Sequence, residues 1–249
     1  MTNYTIGNQY TLPSLGKVYD KQINPQITLR SMTIEDEMKR LNHADRPYKV
    51  MCEIIDDCLI EKLGLSSYDM CLGDYQFLLH KLRVVTYGKE YKLSIKCPYC
   101  GTESIEVIDL DSLKVSEYSD DLKELFEFDL PRAKNHITIQ MQTPRSLEDI
   151  QTRTKEVLKK SSNKTDSAFL FTIMKLIKMV DGKVLNDFEL ENFCRNLEMM
   201  DVNYILKHAD KLNERIGLDT SIDFTCDVCG LEHKDSFRIT SEFFGPSYD

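Results

Sequence analysis

Cys97-Pro98-Tyr99-Cys100-Gly101 and Cys226-Asp227-Val228-Cys229-Gly230 are the two stretches that decide the fold of this chain, and we call them the knuckles. Zinc takes four thiolates at tetrahedral geometry, and a gap of two residues lets one tight turn aim two sulfurs at one ion. The glycine after each second cysteine suits the left-handed backbone conformation of such a turn. The two knuckles therefore predict one closed, structural Zn²⁺ site with four ligands: Cys97, Cys100, Cys226 and Cys229.

The distance between the knuckles gives the predicted site its architectural weight. In the sequence, 125 residues lie between Cys100 and Cys226, far more than in a compact zinc ribbon. The entropy of closing a loop grows only with the logarithm of its length, whereas a structural zinc ion contributes on the order of 10 kcal/mol in small modules. We therefore expect a shared ion to join the two ends of a long insertion, and its loss to loosen the second half of the chain.

Both knuckles lie between segments in which apolar and polar residues alternate, as in half-buried strands. Leu93 and Ile95 precede the first knuckle with the parity of Cys97, and Phe224 precedes Cys226 in the same way. Each knuckle is therefore predicted to be the tip of a β-hairpin. Two alternatives remain open, a redox pair and reduced thiols without a ligand. The redox reading is disfavoured because a redox CxxC normally opens a helix.

The remaining cysteines fall in segments with helical periodicity, where a free thiol behaves as a small apolar core residue. We assign no chemistry to these four: Cys52, Cys58, Cys71 and Cys194. No secretory signal precedes the chain, and its length and ordinary helices do not call for a disulfide scaffold. The compartment is therefore expected to be reducing.

Composition excludes several classes of protein. The chain has 249 residues, of which 41% are hydrophobic, enough for one or two domains with a sizeable core, and no apolar run is long enough to span a bilayer. Its net charge of −9 opposes binding to nucleic acid, whose phosphates require clustered Lys and Arg. The one dense basic stretch comprises Lys155, Lys159, Lys160 and Lys164, near Glu148 and Asp149, and is interpreted as a solvated helix end.

The pattern along the chain predicts an α+β fold, with N-terminal helices and a helical bundle inserted between two zinc-ribbon-like hairpins. An extended arm is expected over 1–25, helices and the first knuckle hairpin over 26–115, the insertion over 116–217, and the second knuckle hairpin with a tail over 218–249. Thr33 is the predicted cap of a first helix, and Asp74 the predicted cap of a later one.

Within the insertion, the sequence predicts a second hairpin and then four helices. The strands of the hairpin are expected at 125–130 and 136–141. The expected helices cover 146–160, 166–179, 187–197 and 201–215. Asp166 is expected near the cap of the second, Val180–Val184 should form a turn between two of the helices, and Gly217 should end the last.

The sequence offers no pattern typical of catalysis. The five histidines lie in unrelated contexts, and no metalloprotease motif, phosphate-binding loop or nucleophile elbow is found. Acidic pairs such as Asp56-Asp57 and Asp120-Asp121 lie in polar segments that indicate no pocket. His233 could replace one cysteine as a ligand, but four cysteines already complete a tetrahedron. We therefore expect no enzyme, no catalytic or cofactor-binding residues and no small-molecule substrate.

Four segments follow one another at characteristic spacing in the N-terminal half: Leu12-Pro13-Ser14 with Gly16 and Tyr19, Ile27–Thr33 leading into Glu35-Asp36-Glu37, Asp74–Leu79 with Leu82-Arg83, and Thr86-Tyr87-Gly88 through Tyr91 to Cys97–Cys100. Their order and spacing give residues 10–115 a resemblance to the baseplate hub proteins of T-even-type contractile-tailed bacteriophages. This resemblance implies a structural or assembly protein of the tail baseplate, made in the host cytoplasm and present in the virion, whose partners are other tail proteins. It carries over no catalytic residue.

Two other classes stay open beside a non-enzymatic baseplate protein that acts by docking. One is a zinc-ribbon accessory protein that binds nucleic acid, and the other a thiol oxidoreductase. The C-terminal aromatic residues Phe243, Phe244 and Tyr248 could either pack back on the body or anchor a partner. The sequence leaves open the copy number, the partners contacted, whether the protein stays in the mature virion, and whether the two hairpins share a sheet.

Overall fold

The computed structural model describes residues 7–42, 45–160, 167–237 and 241–244, and within these ranges the fold is α+β. The helices are α1 (Ile34–Leu41), α2 (Pro47–Cys58), α3 (Leu72–Tyr87), α4 (Pro144–Lys160), α5 (Ala168–Leu176), α6 (Asp187–Arg195) and α7 (Met199–Arg215). The strands are β1 (Gly7–Thr11), β2 (Gln26–Arg30), β3 (Glu90–Lys96), β4 (Glu103–Asp109), β5 (Val115–Ser116), β6 (Glu127–Asp129), β7 (His136–Ile139), β8 (Ile177–Val180), β9 (Gly217–Leu218), β10 (Ser221–Thr225) and β11 (Glu232–Ser236).

All of the strand pairs in these ranges are antiparallel, and they form small sheets. β1 pairs with β2, β3 with β4, β10 with β11, and β5 with β9, while β6, β7 and β8 form a three-stranded sheet in that order. Sheets of this size bury too little surface to be stable alone. Packing against helices must therefore stabilise them.

Most of the buried apolar residues in the described ranges belong to two large hydrophobic cores. The first is built on β2, α2 and α3, and residues from the C-terminal end, including Phe237 and Phe243, join it. The second is built almost entirely from residues 118–216 and includes Cys71 from the N-terminal half. The expected division into four segments stays a prediction, but the chain returns to its first core after completing the second.

The start of the first helix is confirmed at Thr33. The Thr33 hydroxyl accepts a hydrogen bond from the Asp36 backbone N–H, and the Asp36 carboxylate accepts one from the Thr33 N–H at 2.8 Å. This reciprocal capping box satisfies donors that a helix leaves unpaired at its N-terminus. In the next helix, Met51, Ile54, Ile55, Cys58 and Leu59 recur at helical spacing, which predicts a buried stripe. The stripe is found, since Ile54, Ile55 and Cys58 of α2 are buried.

Asp74 is not a helix cap, contrary to the prediction, because α3 begins earlier and Cys71 occupies its N-cap position. The fully buried Asp74 carboxylate instead accepts hydrogen bonds from the Ser14 N–H at 2.9 Å and from the hydroxyls of Ser14 and Tyr19 at 2.5 Å each. We call this group the Asp74 anchor. It joins α3 to a segment 60 residues earlier in the chain.

The Asp74 anchor also changes the expected extended arm. Residues 7–11 pair with β2 as β1, and Leu12 and Ser14 are fully buried. A polar, turn-rich sequence suggested an arm because the carboxylate that binds Ser14 lies 60 residues further along the chain. Residues 1–6 lie outside the described part of the chain.

The predicted second hairpin is confirmed as β6 and β7, but the second predicted helix of the insertion is too long. α5 ends at Leu176, and Ile177–Val180 becomes β8, pairing with β7. A short apolar run fits helix and strand equally well until a neighbouring strand offers hydrogen bonds. The turn at Asp181 and Gly182, with φ of 50° and 73°, therefore follows a strand and not a helix. The expected cap Asp166 lies outside the described residues.

Glu148 links the two cores. Its carboxylate is buried and accepts hydrogen bonds from the backbone N–H groups of Tyr48 at 3.2 Å and Lys49 at 3.5 Å, and from the Tyr68 hydroxyl. Tyr48 and Lys49 lie in the first turn of α2, which has no side-chain cap of its own. A carboxylate at the positive end of the helix dipole is stabilising. Glu148 of α4 therefore caps α2 across the boundary between the cores.

The C-terminal aromatic residues Phe243 and Phe244 pack back on the body. Both are buried in the first core, and the Phe243 ring lies 5.0 Å from that of Tyr91. The buried Arg83 guanidinium donates to the carbonyl oxygens of Phe243 at 3.1 Å, Gly88 at 2.6 Å and Glu90 at 3.2 Å. Three carbonyls thus replace the water that this cation loses. The terminal Tyr248 lies outside the described residues.

The Asp74 anchor predicts that Tyr19→Phe destabilises the protein by about 1–3 kcal/mol, because a buried acceptor loses a donor. Burial raises the pKa of Asp74, so the group's contribution to stability is greatest below the ordinary carboxyl value of 3.8 and is lost as the pH rises through the raised value. The Tyr19 hydroxyl favours the ionised form, and its loss should therefore cost more at neutral than at acidic pH. Urea unfolding of the wild type and Tyr19→Phe at neutral and at acidic pH measures this difference in the free energy of unfolding.

Tyr99→Phe is the matched control, because the Tyr99 side chain is mostly exposed. An equal loss in the free energy of unfolding for Tyr19→Phe and Tyr99→Phe would contradict the prediction. A loss for Tyr19→Phe that is larger at acidic than at neutral pH would also contradict it.

Candidate metal centre

Both knuckles are the tips of β-hairpins, as predicted. β3 and β4 pair from Glu90 with Asp109 to Lys96 with Glu103, directly before and after the first knuckle. β10 and β11 pair in the same way up to the second knuckle. The two hairpins belong to separate two-stranded sheets, which answers the question that the sequence left open.

The backbones of the two knuckles form the same hydrogen bonds. In the first, the Cys97 N–H donates to the Thr102 carbonyl at 2.9 Å and the Gly101 N–H donates to the Cys97 carbonyl at 2.9 Å. The corresponding distances in the second knuckle are 3.1 and 2.8 Å. Gly101 and Gly230 have φ of 74° and 69°, the left-handed conformation for which glycine was expected. Each turn thus holds its two sulfurs on the same side.

Four sulfurs from the two knuckles converge at one point. The Sγ atoms of Cys97 and Cys229 lie 3.7 Å apart, those of Cys100 and Cys226 lie 3.6 Å apart, and all four lie within 4.8 Å of one another. A disulfide requires a separation of about 2 Å, and all four thiols are free. Sulfurs placed about 2.3 Å from one ion at tetrahedral corners lie about 3.8 Å apart. The observed separations therefore suit a tetrahedral thiolate site.

A small core supports the sulfurs from below. Ile95 and Phe224 are buried together with Cys97 and Cys226, and Leu93 packs against them. The first cysteine of each knuckle is buried and the second is exposed. Five residues make a thin core, so the bonds that hold these two hairpins together have to come largely from elsewhere.

His233 does not belong to the group of side chains that could bind the metal. Its ring packs edge-on against Phe224, with the ring centres 4.8 Å apart, and neither ring nitrogen has a hydrogen-bond partner among the described residues. Among those residues, the group of side chains that could hold a metal at this point consists of the four cysteines alone.

The returning chain reaches the site through a close backbone contact. After α7, Gly217 adopts φ of 121° and lies against Gly73 at the start of α3. A Cβ atom on Gly73 would lie 2.4 Å from the Ile216 carbonyl oxygen, and one on Gly217 would lie 2.9 Å from the Gly73 Cα. Both positions therefore require glycine. This contact fixes where β10 begins, and with it the second knuckle.

A comparison with protein families identifies the chain. The family model described as T4 bacteriophage base plate protein matches residues 4–245, nearly the whole length. The chain belongs to this family. It is a phage baseplate protein with a structural role in the tail, and the family match covers the insertion and the second knuckle as well as residues 10–115. Neither the curated proteins nor the solved structures contain a match.

None of the described helices of this baseplate protein is both long and apolar enough to cross a membrane. The acidic pairs serve local structure where their contacts are seen. Asp56 accepts hydrogen bonds from the Ser66 hydroxyl at 2.6 Å and the Ser67 N–H at 2.9 Å, and Asp57 forms an ion pair with Lys39 at 2.7 Å.

The thiols of the baseplate protein differ sharply in acidity. Hydrogen bonding to the side chain and backbone of Thr102 lowers the pKa of Cys100 to about 6. At Cys229, a hydrogen bond with the Leu231 backbone is outweighed by desolvation and the neighbouring cysteines, which raise the pKa to about 11. Burial raises the pKa of Cys52, Cys58 and Cys194 to about 12. The thiolate is the reactive form of cysteine, so Cys100 should be more reactive than these buried thiols, which stay protonated at neutral pH. Sequence reasoning missed Thr102, for which a hydroxyl directly after the knuckle glycine was the only signal.

In metal-free protein, Cys100 should react first with iodoacetamide. It is exposed and ionises near pH 6, whereas thiols with a pKa near 12 stay protonated at neutral pH. Mass spectrometry of tryptic peptides after brief alkylation between pH 5 and 8 measures the order of modification. The rate at Cys100 should rise through about pH 6. Faster modification of Cys52 or Cys58 in the folded protein would contradict the assignment.

Proposed function

We propose that this protein is a non-enzymatic component of the hub region of the baseplate, which acts by docking onto other tail proteins and is stabilised by a structural Zn²⁺ ion. The family match over residues 4–245 carries the baseplate role. The hub assignment rests on the resemblance of residues 10–115, including the segments that form the Asp74 anchor.

The proposed zinc ion fits the donor set. Four thiolates suit a soft, tetrahedral ion, and a site with four protein ligands leaves no position for a reacting water. Cys97, Cys100, Cys226 and Cys229 would hold it, with separations of 3.6 and 3.7 Å across the two knuckles. Bound zinc would join hairpins that otherwise share only a thin core, and it would supply structure without chemistry.

A nucleic-acid role has less support. The two knuckle hairpins, residues 90–109 and 221–236, carry three lysines against eight carboxylates. Phosphates would be repelled from such a surface at physiological salt.

Purified protein is expected to contain one zinc ion per chain, and Cys97→Ser with Cys226→Ser should abolish its binding. Substituting Co²⁺ should give the absorption of a tetrahedral thiolate complex in the wild type and not in the variant. Chelation should lower the melting temperature, because binding free energy contributes directly to folding. The cysteine thiols must lose their protons to bind zinc, so zinc affinity should fall as the pH is lowered.

Cys58→Ala is the control for zinc binding, because it removes a thiol that lies in the first core and outside the site. Retention of zinc by the double serine variant would overturn the proposed site, as would loss of zinc from Cys58→Ala.

The baseplate role predicts that a phage lacking this chain accumulates incomplete tails, and that purified protein sediments with those intermediates. Mass spectrometry of the sedimented particles and of mature virions measures its presence in each. Finding it only as a free monomer, absent from virions and from every intermediate, would overturn the proposal.

A further inference from the structure

The two knuckles and the residue that follows the second expose apolar side chains that belong to none of the described hydrophobic cores. Tyr99 and Val228 occupy the same position in the two knuckles and are 61% and 69% exposed, and Leu231 follows the second knuckle at 48%. We call these three residues the tip surface. The Tyr99 ring is held edge-on to His233, with the ring centres 6.3 Å apart. Aromatic residues on rigid supports are typical anchors of protein interfaces.

Acidic residues lie close to the tip surface in the sequence. Glu103, Asp227 and Glu232 flank the knuckles and are exposed, while Lys96 is the one basic residue at the tip among residues 96–103 and 225–232. If zinc is bound as proposed, four thiolates and one divalent ion add two further negative charges. An apolar centre within a negative rim complements an apolar centre within a positive one.

We propose that the tip surface is a docking site for another tail protein, whose matching surface has an apolar centre bordered by lysine and arginine. This inference deepens the proposed function and rests on it. The knuckle turns fix the positions of Tyr99 and Val228 before contact, so little entropy is lost there on binding. The acidic rim draws the partner into register through long-range attraction.

A second exposed apolar surface lies on α1 and provides a comparison. Ile34, Met38 and Leu41 are more than 60% exposed, while Asp36, on the opposite side of the helix, is buried. α1 carries acidic residues in its first turn and basic residues in its last. Its charge therefore selects no particular partner, and it serves as a control.

The test uses full-length protein and baseplate intermediates purified from cells infected with a phage that lacks this chain. Two variants alter the tip, Asp227→Lys with Glu232→Lys and Tyr99→Ser with Val228→Ser. Two match them elsewhere, Asp210→Lys with Glu214→Lys on α7 and Met38→Ser with Leu41→Ser on α1. Zinc content and melting temperature are measured for each variant, to establish that it folds.

Each tip variant should bind the intermediates at least about tenfold more weakly than wild type at low salt, and each control within about twofold. Binding of the wild type to the intermediates should weaken as the salt concentration is raised. Binding of Asp227→Lys with Glu232→Lys should depend less on salt. A photo-crosslinking amino acid at position 228 should capture a tail-protein segment in which lysines and arginines outnumber carboxylates.

If the wild type binds the intermediates and both tip variants fold and bind equally well, the docking site is wrong but the proposed function still stands. A crosslink to a second copy of this chain or to nucleic acid would also overturn the docking site alone, as would a captured peptide that is acidic. Failure of the wild type to bind any intermediate would overturn the proposed function and the tip surface together.

Discussion

After building the second core, the chain returns to the first core, and the close backbone contact between Gly73 and Gly217 fixes this return. Residues 118–216 build a core of their own, after which the backbone passes Gly73 so closely that neither glycine at the contact can carry a side chain. Only then can the second hairpin approach the first. Five residues form the core under the sulfurs, so the accuracy of their meeting depends on the contact at Gly217.

Three buried charged groups secure this closure, and each does so by binding backbone. Asp74 binds the segment at Ser14, Glu148 caps α2 from within the insertion, and Arg83 binds the carbonyl of Phe243. A buried charge without partners would be very costly, whereas one that satisfies several backbone groups specifies a single arrangement. Each of these contacts joins parts of the chain at least 60 residues apart. Glu148 therefore fixes the two cores relative to each other, while Asp74 and Arg83 bind remote segments of the chain to α3.

This arrangement suits a protein of the baseplate, which must present fixed surfaces to several neighbours. Aromatic residues that could have served as flexible anchors, such as Phe243, are used internally. Exposed apolar residues are found on short rigid elements, among them the knuckle turns and α1. Preorganised surfaces of this kind bind with less loss of entropy than a flexible arm. The acidic charge of the chain then favours partners of opposite charge over nucleic acid.

Much of the local structure follows from short-range sequence patterns. The capping box at Thr33, the stripe of α2, the strands on both sides of each knuckle and the glycine turns all depend on neighbours within a few residues, and all are found. The cysteine spacing also predicted which sulfurs meet, because only two tight turns could supply four of them.

Tertiary structure alone decided the rest, because the deciding partner was remote in the chain. Ile177–Val180 became a strand because β7 lay beside it, and the expected arm was bound by Asp74. Glu148 sits in a run of charges that suggests a solvated helix, yet it is buried at the end of α2. Periodicity records which face of an element is apolar, but not which distant backbone group a buried carboxylate will satisfy.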